Sequence, residues 1–539
     1  MQESNFFHRE ELIKLLEAIK GKTLGEVDSK KVFDRAKTKP KITGIAGDVI
    51  EQSVMGYPPD REQRPDLNID GEKVELKTTG MRQKKINKEL VYVAKEPASI
   101  TAVSIDKIGL EKFENSSFWH KIAHLLFIFY HYNSTKTVLA SEYANFLICG
   151  YTFFSFEGEE LDIIKKDWQM VHDFIVDIQN NYTEEEAKKE YPNLSTKLNK
   201  CLVYLDTAPK YPNSPRFRLR KRVITNIIQK EFYGDTLEKL KDKYSSYNEV
   251  NKKCAYLSYL YAGYSMLDLL EIFEVKPKTD KNKVKQYAEQ VIVRMFGGKE
   301  KKISKIEMFV KFGYIVKSVT LSEKGARTED TKLFGVDFED LTEKNIYDED
   351  IGNMREKVFE DSSLFHDFQD NKMICVIFKE NPDEQGKVKL SDNTFQGFKI
   401  LDLATDELIN AAKQTWEEAR ETILSGNLKN IPTVDKNGNP RFTPKTKILM
   451  EAPNLPKAKN NIVFMRGTGG DATKKDIAIC GVEMLYQNYW IKGTKIVELL
   501  DRIPFINLDE YNNNSKFKNE KNKIRLQILE NRKKEIYKN

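Results

Sequence analysis

The sequence predicts a mixed α/β protein, α+β in the sense of a mixed sheet, built as two units in one chain. Three observations predict it. An Asp-Gly turn joins two alternating segments, amphipathic helical stretches are interleaved with short apolar strands, and four segments of the first half recur in order in the second. At 539 residues the chain exceeds one typical core, and length alone suggests roughly two to four domains.

Asp70-Gly71 is the strongest two-residue hairpin signal, because both central positions of a type I′ turn need positive φ. A hairpin closed there sets Ile69 against Glu72, Asn68 against Lys73, Leu67 against Val74 and Asp66 against Glu75. Val74 and Leu76 then point into a core, while Glu75 and Lys77 share the other face. Helices are predicted over 10–20 and 44–55; in the second, Ala46, Val49, Ile50 and Val54 form an apolar stripe with Glu51 at its edge. Strands follow at 64–70, 72–79, 90–94 and 124–131, then a helix at 160–180, a strand at 201–206, an extended segment at 216–220 and a helix at 221–233. The charged stretch 235–260 reads as a helical bridge. The predicted organisation is a catalytic unit at 1–234, a helical linker at 235–262, a second unit at 263–510 and a charged helical tail at 511–539, whose mixed charge marks a solvated face.

Lys and Arg number 88 against 82 Asp and Glu, a net charge of +6, so global charge does not identify a nucleic-acid partner; local clustering must. The five cysteines lack any CxxC spacing and read as buried apolar groups of a reducing compartment, not a disulfide framework or zinc site. The most apolar run, Ile122 to Tyr132, is far shorter than the ~18 residues of a membrane span. With a polar amino terminus, the expectation is a soluble, cytoplasmic protein.

The repeat is weak but ordered. TGIAGDVIEQSVMG (43–56) matches VKQYAEQVIVRMFGG (284–298), KVELKTTG (73–80) matches GYIVKSVT (313–320), 199–209 matches 460–470, and 217–228 matches 489–500. Lys77 pairs with Lys317, but Glu51 falls on Val293 and Glu75 on Ile315. A copy without those carboxylates cannot hold a magnesium ion in the same way, and would be a non-catalytic binding unit.

The hairpin carries the chemistry. Facing carboxylates at about 4.5–5.5 Å repel unless a cation lies between them. Magnesium takes oxygen ligands and keeps several waters, so Asp66 and Glu75 would suffice to hold it beside a phosphate, with Glu51 hydrogen-bonding to metal-bound water or supplying another ligand. Lys77 would orient the attacking water or, with a lowered pKa, act as base. A D-x8-E-x-K spacing alone is also that of an ordinary polar hairpin face.

With its surroundings, this unit resembles MutH, the mismatch-repair endonuclease, and the related restriction endonucleases that cut GATC, all of the PD-(D/E)xK nuclease superfamily. The resemblance covers most of residues 10–233 and lies in GKTLGEV (21–27), GDVIEQSVMG (47–56), VELKTT (74–79), ENSSFWHKIAHLLFI (114–128), Asp167-Trp168 and FRLRKRVITNII. It implies a restriction-endonuclease-like fold, two MutH-like domains with the second degenerate, and Mg2+-dependent phosphodiester hydrolysis giving 5′-phosphates. It places catalytic roles on Glu51, Asp66, Glu75, Lys77 and Lys121, with Asp66, Glu75 and Glu51 as metal ligands. The Asp66–Glu75 interval is longer than the family's by an even count, which preserves each residue's face. A family lysine before Glu51 falls near Thr43, with Lys41 the nearest substitute, and a DNA-contacting tyrosine falls on Arg218.

The segment 207–230 holds Lys210, Arg216, Arg218, Arg220, Lys221 and Arg222 without an acidic residue. In extended form its three alternating arginines would share one side, where guanidinium groups can read guanine and lysines can hold phosphates. The alternative is a solvated basic edge; beside a nuclease site, double-stranded DNA is the expected partner. His120 and His124 have HxxxH spacing without the glutamate of a zinc protease, and TGGDATKK (468–475) lacks P-loop spacing and reads as a loop. The expected function is a type II restriction endonuclease with a cognate methyltransferase and DNA-induced dimerisation. A mismatch-repair-type nicking enzyme and a non-enzymatic DNA-binding regulator are the rivals.

Overall fold

The computed structural model describes residues 5–38, 44–58, 64–86, 89–134, 138–276, 287–327, 329–348, 353–435, 437–443, 447–469, 475–504, 511 and 513–536. The chain divides into two compact units. The first comprises Met1–Leu237, Asp242–Tyr247 and Asn345–Glu356; the second comprises Glu238–Lys241, Asn248–Lys344 and Lys357–Asn539.

The first unit is a mixed sheet with helices on both faces. Its strands are β1 (Phe6–Phe7), β2 (Leu67–Ile69), β3 (Glu72–Ile86), β4 (Glu89–Ala94), β6 (His124–His131) and β7 (Leu147–Ser155), in the order β1-β2-β3-β6-β7 with β4 also paired to β3. The long β3 changes partner along its length: antiparallel to β2, parallel to β6, then antiparallel to β4. Residues 125–130 of β6 are all buried, as a central strand covered on both faces requires. Helix α1 (Arg9–Ile19) starts with Glu10 and Glu11, which suit its positive end, and buries Leu12, Leu16 and Ile19 at helical spacing. These join Val74, Leu76, Leu126 and Ile128 in one core.

The predicted helix 44–55 differs from the observed one. Helix α2 (Ile45–Val49) passes into a π-helical turn, Ile50–Met55, which Gly56 ends at φ +80°. In the wider π turn residues five apart stack, so Ile50 and Met55 both enter the core. The 160–180 helix is α4 (Glu159–Asn181), preceded by the short α3 (Ser117–Ile122). A second sheet joins β5 (Ala98–Ala102), β9 (Arg216–Leu219) and β8 (Leu205–Asp206), and leads into α5 (Lys221–Tyr233).

The predicted strand 201–206 is reduced to Leu205–Asp206 for a clear reason. The buried Asp167 carboxylate on α4 accepts the N–H groups of Val203, Tyr204 and Leu205, which therefore have none to give to a ladder. Nor is 235–260 helical throughout. Gly234 ends α5 at positive φ, the Glu238 carboxylate takes the N–H groups of Lys299 and Glu300, and helix α6 begins only at Tyr247, running to Tyr261.

The second unit repeats this order of elements. Helix α7 (Ala288–Met295) precedes β10 (Tyr314–Leu321), which runs parallel to β14 (Lys372–Lys379), itself antiparallel to β15 (Thr394–Asp402). A long helix follows here as in the first unit, α9 (Asp406–Leu424). A second sheet joins β11 (Thr331–Gly335), β21 (Gln487–Ile491) and β18 (Val463–Gly467), and leads into α10 (Gly493–Asp501). Even the irregularity recurs. The β6–β7 ladder shifts just after the rung Phe129–Gly150, and the β14–β15 ladder just after Ile377–Gly397. A further match escaped the sequence comparison: Phe113–Ser117 and Phe359–Ser363 form the same turn. In each, a buried serine, Ser116 or Ser362, donates to a phenylalanine carbonyl and accepts the N–H that starts a helix, α3 or α8 (Ser363–Asp370). The pairing of 199–209 with 460–470 is out of step, since Leu205 and Val463 occupy matching rungs opposite Leu219 and Ile491.

The tail forms α11 (Ser515–Ile536) and is not solvated all round. Phe517 and Ile524 pack with Tyr511 against Tyr256 and Tyr259 of α6, and Tyr256 donates its hydroxyl hydrogen to Glu520. No helix among the described residues is long and apolar enough to cross a membrane.

Candidate active site

The hairpin folds in the predicted register. Asp70 and Gly71 take φ of +50° and +93°, and Ile69, Asn68 and Leu67 pair with Glu72, Lys73 and Val74. Asp66 lies one residue beyond the last of these rungs. Its main-chain carbonyl accepts from Asn5, and its Oδ2 accepts the Leu76 N–H at 2.9 Å, closing the ladder with a side chain where β2 ends.

Glu75 is the centre of the site. It is 2% exposed. Its Oε1 accepts from Lys77 Nζ at 2.8 Å and from Lys121 Nζ at 3.3 Å, while Oε2 is buried with no hydrogen-bond partner among the described residues. Lys77 reaches it because i and i+2 share a strand face; Lys121 arrives from α3, whose start is fixed by Ser116. Glu51 comes from the π turn, a feature frequent at functional sites. Burial and then the Asp66 charge push its carboxyl up to about 7, with Asp48 adding to the effect. Burial and then Glu75 push Asp66 up to about 6. Opposing contributions from Lys77 do not cancel these shifts.

The five expected catalytic residues therefore act on one another electrostatically. Among the described residues, however, no three carboxylate, histidine or cysteine groups converge as a ready-made metal cage, so Glu51, Asp66 and Glu75 form an acidic field, not a closed ligand set. A magnesium-sized cation fits such a field: it needs one or two carboxylates, the donors are hard oxygens, and one buried oxygen of Glu75 lacks a partner. Thr43 and Lys41 lie outside the described residues. His120 sits on α3 and His124 on β6, where it contacts Ser155 and Glu72, so the HxxxH spacing places no pair on one helix face.

The basic segment is only partly presented. Arg216 is exposed and its Nε donates to Ser99; Arg218 is half-buried and ion-paired to Asp206 at 2.6 Å. Lys210 is exposed and Lys221 half-buried. Arg220 departs from the shared face: it is buried, and its guanidinium donates to the carbonyls of Asn199 and Leu202. Arg222 is half-buried, donating to the Val203 carbonyl and the Tyr247 hydroxyl.

Asp167 is the site-supporting residue that residue-level reading passed over. With Arg220 it holds the backbone leading into β8 and β9, and so positions Arg216 and Arg218. Its signal was present: a carboxylate inside the apolar stripe Ile163, Ile164, Trp168 and Val171.

Comparison with known proteins agrees with this geometry. Residues 55–167, which contain four of the five clustered side chains, match the family of the DNA mismatch repair enzyme MutH. The chain is also 23% identical over 459 residues to the type II restriction enzyme Sau3AI of Staphylococcus aureus, covering 80% of this chain and 85% of that one.

Proposed function

We infer that this chain, a MutH-related type II restriction endonuclease, hydrolyses DNA at a short specific site with a divalent cation, Mg2+, held by Asp66 and Glu75 beside Glu51. The observation that carries the reading is Glu75, with one oxygen between two lysines and the other buried and partnerless, next to two carboxyls held above their ordinary range. When bound, the ion would supply charge neutralisation at the phosphate. The chain's own residues do the rest. Lys77 orients the attacking water and offsets charge on the phosphoryl oxygens, and Lys121 supports it from the other side of Glu75. Water adds to phosphorus as the P–O3′ bond breaks. The 3′-oxygen leaves with a proton, and the phosphate stays on the 5′ end.

Arg216 and Arg218 are the candidates for base reading, with Lys210, Lys221 and Arg222 toward the backbone; Arg220 acts by holding their platform. GATC is the site that the family resemblance favours. The second unit repeats the scaffold with isoleucine and valine in place of Glu75 and Glu51, which supports a DNA-binding unit without cleavage of its own. One active centre per chain makes DNA-induced pairing of two protomers the route to a double-strand cut, and a cognate methyltransferase would protect the host.

Digestion of mapped, unmethylated DNA with Mg2+, followed by end sequencing, tests this. One recurrent site bearing 5′-phosphates is expected. Absence of cutting with Mg2+ overturns the reading, and nicked circles alone from supercoiled plasmid would favour a nicking enzyme.

A further inference from the structure

We propose that the position in the second unit equivalent to the catalytic lysine is a metal-independent site for a DNA phosphate, with Lys317 as its principal cation. The inference rests on the reading that the second unit binds DNA, and adds to it where and how.

The register fixes the equivalence. Glu75 and Lys77 stand opposite Leu125 and Phe127 in the parallel pair β3–β6, and Ile315 and Lys317 stand opposite Met373 and Cys375 in β10–β14. The shared ladder shift beside Gly150 and Gly397 leaves no freedom to slide one unit past the other. Around the retained lysine the charges have changed. Glu75 is replaced by Ile315, and Val293 occupies the Glu51 position and is fully buried. The strand that brings Asp66 has no counterpart among the described residues, because Glu307–Lys311 before β10 is helical. The fifth residue beyond the capping serine, Lys121 in α3, is Asp367 in α8.

In the first unit the lysine is neutralised within 2.8 Å. In the second, Lys317 makes no hydrogen bond or ion pair among the described residues, although it is only partly exposed. Burial, and then the charge of Lys332, hold its ammonium below the ordinary lysine range, and Glu289 offsets them only partly. Glu289 is itself engaged, accepting the Ile303 N–H at 2.8 Å. Two lysines near each other at a half-buried site, with the original acids removed, favour an anion. A duplex phosphodiester supplies one without a cation, since Ile315 and Val293 stand where Glu75 and Glu51 would repel it.

The test is binding of a short duplex by the full chain in EDTA, read by fluorescence anisotropy across a salt series. Lys317→Met, which keeps the length of the side chain, should weaken binding about three- to tenfold and lower the slope of log K against log salt by about 0.9, the signature of one lost phosphate contact. Lys317→Arg should restore both. The series is repeated in an Arg216→Ala, Arg218→Ala background, so that contacts from the first unit do not mask the change. An unaltered affinity and slope for a folded Lys317→Met chain in both backgrounds overturns the proposal, and the functional reading survives if the wild-type chain still cuts. A wild-type chain that neither binds nor cuts DNA overturns both.

Discussion

In the first unit a lysine on the central strand meets a buried glutamate at 2.8 Å; in the second, the lysine at the same register position has an isoleucine two residues before it, in place of the glutamate, and feels the charge of another lysine. The scaffold around the two is the same down to a ladder shift and a serine cap. The difference shows that this scaffold persists without the residues of the proposed site. Strand pairing, the capping turn and the packed helices persist where the carboxylates are lost, although Asp66 also caps the first unit's ladder through the Leu76 N–H.

The sharpest way to break that comparison is at the lysine itself. Lys77→Ala is expected to lower cleavage by about a thousandfold while DNA binding largely survives; equal cleavage by that variant in a single-turnover assay would sink the assignment. Adding Val293→Glu and Ile315→Glu to it should not restore cutting, since the second unit still lacks the hairpin that delivers Asp66.

The supports should behave in the opposite way. Asp167→Ala strands three backbone N–H groups and should cost about 3 kcal/mol in denaturant unfolding. Thr415 on α9 bonds the Val463 carbonyl with its hydroxyl alone, and Thr415→Val should cost only about 1 kcal/mol.

Titration separates the units by sign. Glu51 and Asp66 hold their protons more tightly folded than unfolded, so folding takes up protons between about pH 4 and the shifted values near 7 and 6. The metal-free first unit should thus be most stable below about pH 4 on their account and lose stability as the pH rises through 6 and 7. Mg2+ should reverse the loss, and Glu51→Gln should flatten it; melting temperature against pH with and without Mg2+ reads both. Lys317 is shifted down, so its contribution improves as the pH rises in the alkaline range.

A comparably small effect is expected at the hairpin turn. Gly71→Ala at φ +93° should cost about 1 kcal/mol with register retained, visible as a modest drop in melting temperature.

The sequence by itself determined everything that depends on short-range pattern. The register of the hairpin, the shared face of Glu75 and Lys77, the strand His124–His131 and the helix Lys221–Tyr233 follow from periods of two and 3.6 and from one Asp-Gly pair. Long-range competition for backbone hydrogen bonds was decided only in three dimensions. Asp167 withdraws three donors from a segment that reads as a strand, Arg220 turns inward to carbonyls while Arg216 stays exposed, and the π turn carries Glu51 toward Asp66. Each of these depends on a partner between 18 and 38 residues away or on the packing of a whole core, and no local window contains it.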